Sequence, residues 1–187
     1  MGNTCANLGV IALPPQFSVI ATLIKQSSHG PVFYQQDRTG FDGQIFKVYK
    51  LRSMKLHDDA EVVQQATKED PRITKIDKFI RRTTIDELPQ LINVLNGTMS
   101  LVGPRPHAVS HNNYYSDKID AYLARHRIKP GITGLAQISG FRGETETLDK
   151  MERRVEYDLA YINNWSLALD VKILIKTPVS LLSKDIY

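Results

Sequence analysis

An apolar segment near the start of the chain, interrupted by two adjacent prolines, most constrains how this protein can fold. Residues 8–24 (LGVIALPPQFSVIATLI) form this segment. In a helix its seventeen residues would span roughly 25 Å, short of the roughly 30 Å hydrocarbon core of a bilayer. Pro14 and Pro15 remove two amide donors and should break such a helix. A straight membrane span is therefore disfavoured, and two interpretations remain: a buried pair of core helices, or a bent hairpin that enters one leaflet of a membrane.

The composition indicates one globular domain with a mild basic excess. Hydrophobic residues make up 42% of the 187 residues and charged residues 24%, which is typical of a globular chain. The net charge of +4 suits an anionic partner such as a phosphate, a nucleotide, a nucleic acid or a lipid headgroup, and does not choose among them. A single cysteine, Cys5, excludes an internal disulfide and a cysteine metal cluster, so a reducing compartment is the simpler interpretation.

The first half of the chain is predicted to hold a β-hairpin and two short helices. Residues 30–54 contain two runs rich in β-branched and aromatic residues around a glycine-rich turn at 40–43. Residues 55–74 are polar and rich in turn formers, so we expect a mobile surface loop. Residues 75–84 predict a short amphipathic helix, and apolar residues at helical spacing predict another over 86–96.

The start of that second helix decides where the adjacent acids Asp86 and Glu87 lie. Thr84-x-x-Glu87 matches a capping box, which would put Pro89 at the fifth helical position, where a proline disturbs the hydrogen bonds. If Asp86 is the N-cap instead, Pro89 falls in the first turn, where its missing N–H costs little. We prefer this second start, which places Asp86 at the positive end of the helix and predicts a lowered pKa for its carboxyl.

The second half of the chain is predicted to hold a rigid turn, an irregular loop and two helices. The turn is 100–106 (SLVGPRP). The glycines and Pro130 of the basic stretch 124–144 indicate a loop with close backbone approaches and no regular element. Residues 147–165 have one apolar face and predict a helix. Residues 166–187 are apolar around most of a helix but include lysines, which suggests a helix at a membrane surface whose lysines reach to water.

Acids and cations near turns are the candidates for chemistry. A guanidinium binds phosphate oxygens through two donors, so arginines in several Gly/Pro turns indicate a phosphate-containing ligand. If the ligand is a diphosphate, Asp86 can attack phosphorus and Glu87 can hold Mg²⁺. From residue types alone, an ordinary helix cap remains the favoured interpretation of this pair. The candidates are the acids Asp86, Glu87 and Asp170 and the cations Lys50, Arg52, Arg81, Arg105 and Arg142.

Five sequence blocks follow one another along most of the chain. They are GPVFYQQDRTG, FKVYKLRSM, TTIDELPQLINVLNGTMSLVGPRPH, RHRIKPGITGLAQISGFRGET and VEYDLAYINNWSLALDVKILIKT. In this order they resemble the bacterial sugar transferase family, the monotopic phosphoglycosyl transferases that begin exopolysaccharide, O-antigen and glycoconjugate assembly. The end of the chain is most similar to the members that transfer glucose-1-phosphate to undecaprenyl phosphate in exopolysaccharide initiation.

The resemblance implies a two-step reaction at the cytoplasmic face of the bacterial inner membrane. Asp86 would attack the sugar-proximal phosphate of a UDP-sugar, with UDP-glucose as the expected donor, and release UMP. The phosphosugar would then pass from Asp86 to undecaprenyl phosphate. Glu87 would help to bind Mg²⁺. The expected substrate-binding residues are Lys50, Arg52, Arg81, Arg105, Gln137, Arg142 and Asp170.

The resemblance also implies an architecture. We expect an α+β fold that is predominantly helical, with a small β-hairpin and interfacial amphipathic helices. Residues 1–29 would form a re-entrant membrane helix segment, with Pro14-Pro15 where the family usually has Ser-Pro, and 30–187 the catalytic core. We expect no nucleic-acid partner and leave a homodimer open. The alternative function is a non-catalytic phospholipid- or nucleotide-binding module at the membrane surface.

Overall fold

The computed structural model describes residues 14–55, 70, 72–143 and 147–181, and over these the chain is a mixed α/β protein, mostly helical with small sheets. This confirms the predicted fold class in outline. The helices are α1 (Pro14–Ser27), α2 (Lys75–Arg82), α3 (Gln90–Leu95), α4 (Val109–Ser116), α5 (Leu135–Ile138), α6 (Leu148–Asn163) and α7 (Leu167–Leu181). The strands are β1 (Phe33–Thr39), β2 (Ile45–Leu51), β3 (Ser100–Val102) and β4 (Gly131–Thr133).

The apolar N-terminal segment supplies α1, whose last turns pack into the protein core. The helix begins at Pro14, so both prolines occupy its first turn, where missing amide donors cost little. Ile24 is fully buried against Leu51 and Ile80. Along the described part of the chain, no helix is long and apolar enough to cross a bilayer. The predicted hairpin bend involves residues 8–13, which lie outside the described residues.

The predicted β-hairpin is confirmed. Strands β1 and β2 pair antiparallel, from Phe33 opposite Leu51 to Thr39 opposite Ile45. A short 3-10 turn, Phe41–Gly43, joins them. Alternate residues of a strand share a face, so Val48 and Lys50 project to the same side of β2. Val48 is buried there against α3, which directs Lys50 toward the chain segment that precedes α3.

The helix predicted over 86–96 is shorter than expected and begins at Gln90. Asp86 and Glu87 instead occupy a 3-10 turn, Ile85–Glu87. Thr84 precedes the turn in the left-handed conformation (φ 60°), so its carbonyl accepts from the N–H of Glu87, three residues on, at 3.1 Å. The prediction that Asp86 caps the α-helix was therefore wrong. The alternative that was set aside, a capping box at Thr84, does not form either, because the Thr84 side chain makes no capping hydrogen bond with the described residues.

A capping box does occur one helix earlier, where sequence inspection did not find it. The Thr74 side chain accepts from the N–H of Asp77, and the Asp77 carboxylate accepts from the N–H of Thr74 at 2.9 Å. These bonds fix the start of α2. The predicted helix over 75–84 is confirmed and ends two residues early. The predicted loop over 55–74 falls almost entirely at 56–69 and 71, outside the described residues.

Strands β3 and β4 form a short parallel sheet, which corrects the expectation of an irregular loop over 124–144. The backbones approach closely where Gly103 follows β3 and Gly131 begins β4. A Cβ on Gly131 would lie 2.1 Å from the Gly103 nitrogen, so no larger residue fits there. Three-residue strands carry too little periodicity for a sequence pattern to reveal them.

The helix predicted over 147–165 is confirmed within two residues at each end. The helix predicted over 166–187 is confirmed as far as Leu181, and residues 182–187 lie outside the described residues. Helix α6 buries Met151 and Val155 against Tyr122 and its neighbours. Helix α7 buries Ile173, while Ile175 and Val179 are 71% and 70% exposed. The described part of α7 therefore has one face packed on the protein and an apolar face turned outward.

Candidate active site

The carboxylate of Glu87 is the point on which three of the five predicted cations converge. Lys50 Nζ lies 3.3 Å from Oε1, and Arg142 Nη2 lies 3.4 Å from Oε2. Arg105 donates through both ends of its guanidinium, with Nη1 3.1 Å from Oε2 and Nη2 on Oε1. Glu87 is 5% exposed, so three cations surround a buried anion next to Asp86.

Lys50 reaches Glu87 because one buried amide docks α3 against β2. Asn93, on α3, donates from Nδ2 to the carbonyl of Lys47 at 2.8 Å and accepts from the N–H of Tyr49 at 3.0 Å. The side chain thus replaces a neighbouring strand along this part of β2. The 3-10 turn that carries Glu87 precedes α3, so this docking sets the distance from Glu87 to Lys50.

Arg105 is held by the turn that follows the parallel sheet. Gly103 donates to the carbonyl of Thr133 at 2.9 Å, and Pro104 accepts from the N–H of Gly131 at 2.9 Å. Behind the turn, the buried Arg125 donates to the carbonyl of Arg105 at 2.8 Å. The predicted turn carrying Arg105 is confirmed over 103–106, whereas residues 100–102 of the predicted turn form β3.

Burial raises the pKa of Asp86, and the neighbouring charge of Glu87 raises it further, to about 6 despite the opposing effect of Lys50, Arg81 and Arg105. The predicted lowering of this pKa was wrong. Asp86 is 7% exposed in a 3-10 turn and not at a solvated helix terminus, so the cost of burying its charge outweighs the attraction of the cations.

Glu87 titrates in the opposite direction from its neighbour. Burial opposes its ionisation, but Arg105, Lys50 and Arg142 outweigh burial and hold the pKa of Glu87 well below its usual range. The pKa of Lys50 is lowered by burial, against the attraction of Glu87. Two adjacent carboxyls with separated pKa values indicate different roles: Glu87 as a permanent anion that orders cations, and Asp86 as the group whose charge can change.

The donors around Glu87 do not fit the expected role of this residue as a ligand of Mg²⁺. A carboxylate offers about four lone-pair sites, and the contacts from Lys50, Arg105 and Arg142 occupy that number. A cation on either oxygen would have to displace one of these partners. Among the residues that the structure describes, no group of three or more His, Cys, Asp or Glu side chains is placed to hold a metal ion.

Three of the predicted substrate-binding residues lie elsewhere in the fold. Arg52 is 3% exposed and donates to the carbonyls of Ile24, Ser28 and His29 at 3.0, 2.6 and 2.8 Å, which caps the end of α1. Asp170 accepts from Tyr161 and Trp165. Gln137 donates to a β4 carbonyl, and its buried Oε1 has no hydrogen-bond partner among the described residues. The contacts of these three residues do not join them to Glu87.

Sequence inspection missed Arg38, which lies beside the cluster. Its guanidinium donates to the carbonyl of Pro106 at 3.1 Å and to Gln36, which ties β1 to the turn that carries Arg105. Burial lowers the pKa of Arg38 to about 10, and the charge of Arg105 adds to this. Its place in the first matched block, QQDRTG, was the available signal.

A buried polar network behind Arg105 was also missed. Arg125 donates to the Asp158 carboxylate at 2.6 Å and to the ring of His107, which contacts the Tyr122 hydroxyl at 2.6 Å. Burial lowers the pKa of His107 well below its usual range, and the nearby Arg125 lowers it further, so the ring is neutral. The residues of this network are far apart in sequence, and no local pattern brings them together.

Comparison with known proteins agrees with the sequence blocks. The family model described as "Bacterial sugar transferase" matches residues 2–184. The UDP-glucose:undecaprenyl-phosphate glucose-1-phosphate transferase of Escherichia coli (strain K12) is 56% identical over 172 residues, which are 92% of this chain and 37% of that protein. The protein of the same name from Caulobacter vibrioides is 48% identical over 91% of this chain and 64% of its own length.

A shorter relative aligns over most of its own length. The exopolysaccharide production protein PSS of Rhizobium leguminosarum bv. phaseoli is 44% identical over 94% of this chain and 90% of that protein. By contrast, the chain spans a little over a third of the Escherichia coli relative. The family model covers nearly the whole chain, and the cation cluster is built from the blocks that carried the resemblance. The chain belongs to the bacterial sugar transferase family.

Proposed function

We propose that this chain catalyses transfer of glucose-1-phosphate from UDP-glucose to undecaprenyl phosphate, the first membrane step of exopolysaccharide synthesis. The observation that carries the proposal is the pairing of Asp86 with a buried Glu87 that gathers Lys50, Arg105 and Arg142. These cations outnumber the carboxylates, so the site has a surplus of positive charge for a diphosphate. The names of the relatives, glucose-1-phosphate transferases among them, supply the substrates.

In the first step an oxygen of the Asp86 carboxylate forms a bond to the sugar-proximal phosphorus of UDP-glucose. The bond from that phosphorus to the oxygen of UMP breaks, and UMP leaves with the electron pair. A pKa of about 6 leaves roughly nine-tenths of Asp86 ionised at pH 7. The raised pKa also makes the carboxylate more basic, and so a stronger nucleophile, than an ordinary aspartate.

In the second step a phosphate oxygen of undecaprenyl phosphate attacks the same phosphorus. The bond to Asp86 breaks, the carboxylate is restored, and undecaprenyl-diphosphate-glucose leaves. Arg105 and Arg142 can stabilise the phosphoryl oxygens in both steps, because they are already held in place by Glu87 and need little rearrangement. No step is assigned to Mg²⁺, because the lone pairs of Glu87 are occupied.

The outward apolar face of α7 supports a membrane setting for this reaction. Val171, Ile175 and Val179 on α7 are 47% to 71% exposed, and Trp165 just before the helix is 61% exposed. A helix of this kind can lie in the interface of a bilayer. The active site would then face the cytoplasm, where UDP-glucose is available, with the segment ahead of α1 re-entering the same leaflet. The lipid acceptor would approach from the membrane side.

The test is UMP release by the purified chain in detergent, with UDP-glucose and undecaprenyl phosphate. We expect UMP and a lipid-linked glucose from the wild type and neither from Asp86→Asn. A panel of UDP-sugars then tests the assignment of glucose. Binding of UDP-glucose by a folded wild-type protein that releases no UMP would instead support a non-catalytic nucleotide-binding module.

A further inference from the structure

Arg154, a buried arginine of α6, donates hydrogen bonds to the loop that carries Arg142. Its Nε donates to the carbonyl of Phe141 at 2.8 Å, and its Nη2 donates to the carbonyl of Gly143 at 2.6 Å. These carbonyls belong to the residues on either side of Arg142. Arg154 is 6% exposed, so the two hydrogen bonds are shielded from water.

Arg142 in turn connects that loop to the turn of the proposed nucleophile. Its Nη2 donates to the Thr84 hydroxyl at 3.1 Å and lies 3.4 Å from Oε2 of Glu87. Thr84 has a φ of 60°, a conformation that costs energy for a β-branched residue and that needs support from its surroundings. A displacement of the 141–143 loop would release both contacts, which lie on either side of Asp86 in the sequence.

Arg154 is itself anchored from the helix side. Helix α6 is fixed in the core by Met151 and Val155, three residues before and one after Arg154. The charge of Asp158, one turn further along, attracts Arg154, although the Asp158 carboxylate is hydrogen-bonded to Arg125. The loop also contacts α6 through the rings of Phe141 and Tyr157, whose centroids are 5.2 Å apart. The helix is therefore a rigid base from which Arg154 can hold the loop.

We propose that Arg154 is a positioning residue for phosphosugar transfer, which fixes Arg142 on Glu87 and Thr84 through the backbone of the 141–143 loop. This inference rests on the proposed function of the site. An arginine suits the task because its planar fork reaches two carbonyl groups at once, whereas a lysine presents a single point of charge. Arg154 acts through Arg142 and touches no substrate.

Arg154→Lys tests the proposal, with Arg153→Lys as the matched control, since Arg153 is the exposed neighbour on the same helix. We expect Arg154→Lys to lower kcat for UMP release on the order of tenfold to a hundredfold, because small misplacements of a phosphate-binding group have effects of that size. The control should match the wild type. Normal kcat in Arg154→Lys would overturn the proposal.

A double-mutant cycle distinguishes positioning from a general loss of structure. If Arg154 acts through Arg142, adding Arg154→Lys to Arg142→Ala should lower the residual rate by no more than about twofold. If Arg154→Lys lowers the rate of Arg142→Ala by the same factor as it lowers the rate of the wild type, Arg154 supports the fold in general, and the proposal is overturned.

Hydrogen exchange supplies a measurement that needs no activity. In Arg154→Lys the amides of residues 141–143 should exchange faster, on the order of tenfold, while those of α6 around Val155 stay protected. Unchanged exchange in the loop, or a general loss of protection along α6, would refute the positioning role. If the wild type releases no UMP, the proposed function fails, and this measurement still decides what Arg154 holds.

Discussion

Replacing Asp86 with asparagine should make the protein more stable at neutral pH while removing its activity. The pKa of Asp86 is raised from 3.8 to about 6, so the folded state holds the proton more tightly than the unfolded chain does. The cost of ionising this buried acid is absent below pH 3.8, grows as the pH rises toward 6, and is complete above that. A shift of about two units corresponds to about 3 kcal/mol. Asparagine keeps the shape and never bears the charge.

We therefore expect Asp86→Asn to raise the free energy of unfolding at about pH 7.5 by up to about 3 kcal/mol, or roughly 6–12 °C in Tm. The gain should shrink as the pH is lowered toward 4. Thermal unfolding followed by circular dichroism in detergent, at several pH values, measures both effects.

The result that would refute this reasoning is a Tm for Asp86→Asn that equals or falls below that of the wild type at about pH 7.5. A gain that stays the same at every pH would also refute it, because a charge-independent gain cannot come from ionisation.

Further variants test the site and its supports. The rate of UMP release should rise with pH and reach half its maximum near the pKa of Asp86, about 6; a flat profile across that range would contradict the role of this carboxylate. Arg105→Lys keeps the charge but loses the two-donor grip on Glu87, so the rate should fall on the order of tenfold or more; equal rates would show that only charge matters there. Arg52→Met removes three hydrogen bonds to the end of α1, so it should lower the free energy of unfolding by about 2–4 kcal/mol. The KM for UDP-glucose should stay unchanged. A raised KM with unchanged stability would instead support the predicted substrate role of Arg52.

The regular elements could be predicted because their signals are local. Runs of β-branched residues around glycines predict the hairpin, and apolar residues at helical spacing predict α6. The sheet of β3 and β4 could not be predicted, because it depends on the close approach of Gly103 and Gly131 across 28 positions of the chain. The cap at Asp86 was wrong because nothing local shows that Thr84 adopts a left-handed conformation.

Part of the candidate site could be predicted from the sequence, and part could not, because the contacts of its side chains are set by the fold. The matched blocks singled out Glu87 and the cations Lys50, Arg105 and Arg142, and the structure brings these together. The same blocks also contain Arg52, which the fold uses to end a helix. A sequence shows which residue types a block contains, but burial and partners decide whether a cation meets a ligand or a carbonyl group.

The pKa of Asp86 shows most clearly what a sequence pattern cannot predict. A position near a helix start predicts a lowered pKa if the carboxyl is solvated. In the structure this pKa is raised by burial and by the charge of Glu87, and burial is a property of the packed fold.

The central claim, a covalent role for Asp86, is tested most directly by trapping the intermediate. The protein is mixed with UDP-glucose labelled in the sugar, without undecaprenyl phosphate, then quenched, digested and examined by mass spectrometry. Our account predicts release of UMP in an amount equivalent to the protein, label on the peptide that contains Asp86, and no label in Asp86→Asn. UMP that forms only when undecaprenyl phosphate is present, with no labelled protein at any time, would contradict the account and indicate direct transfer.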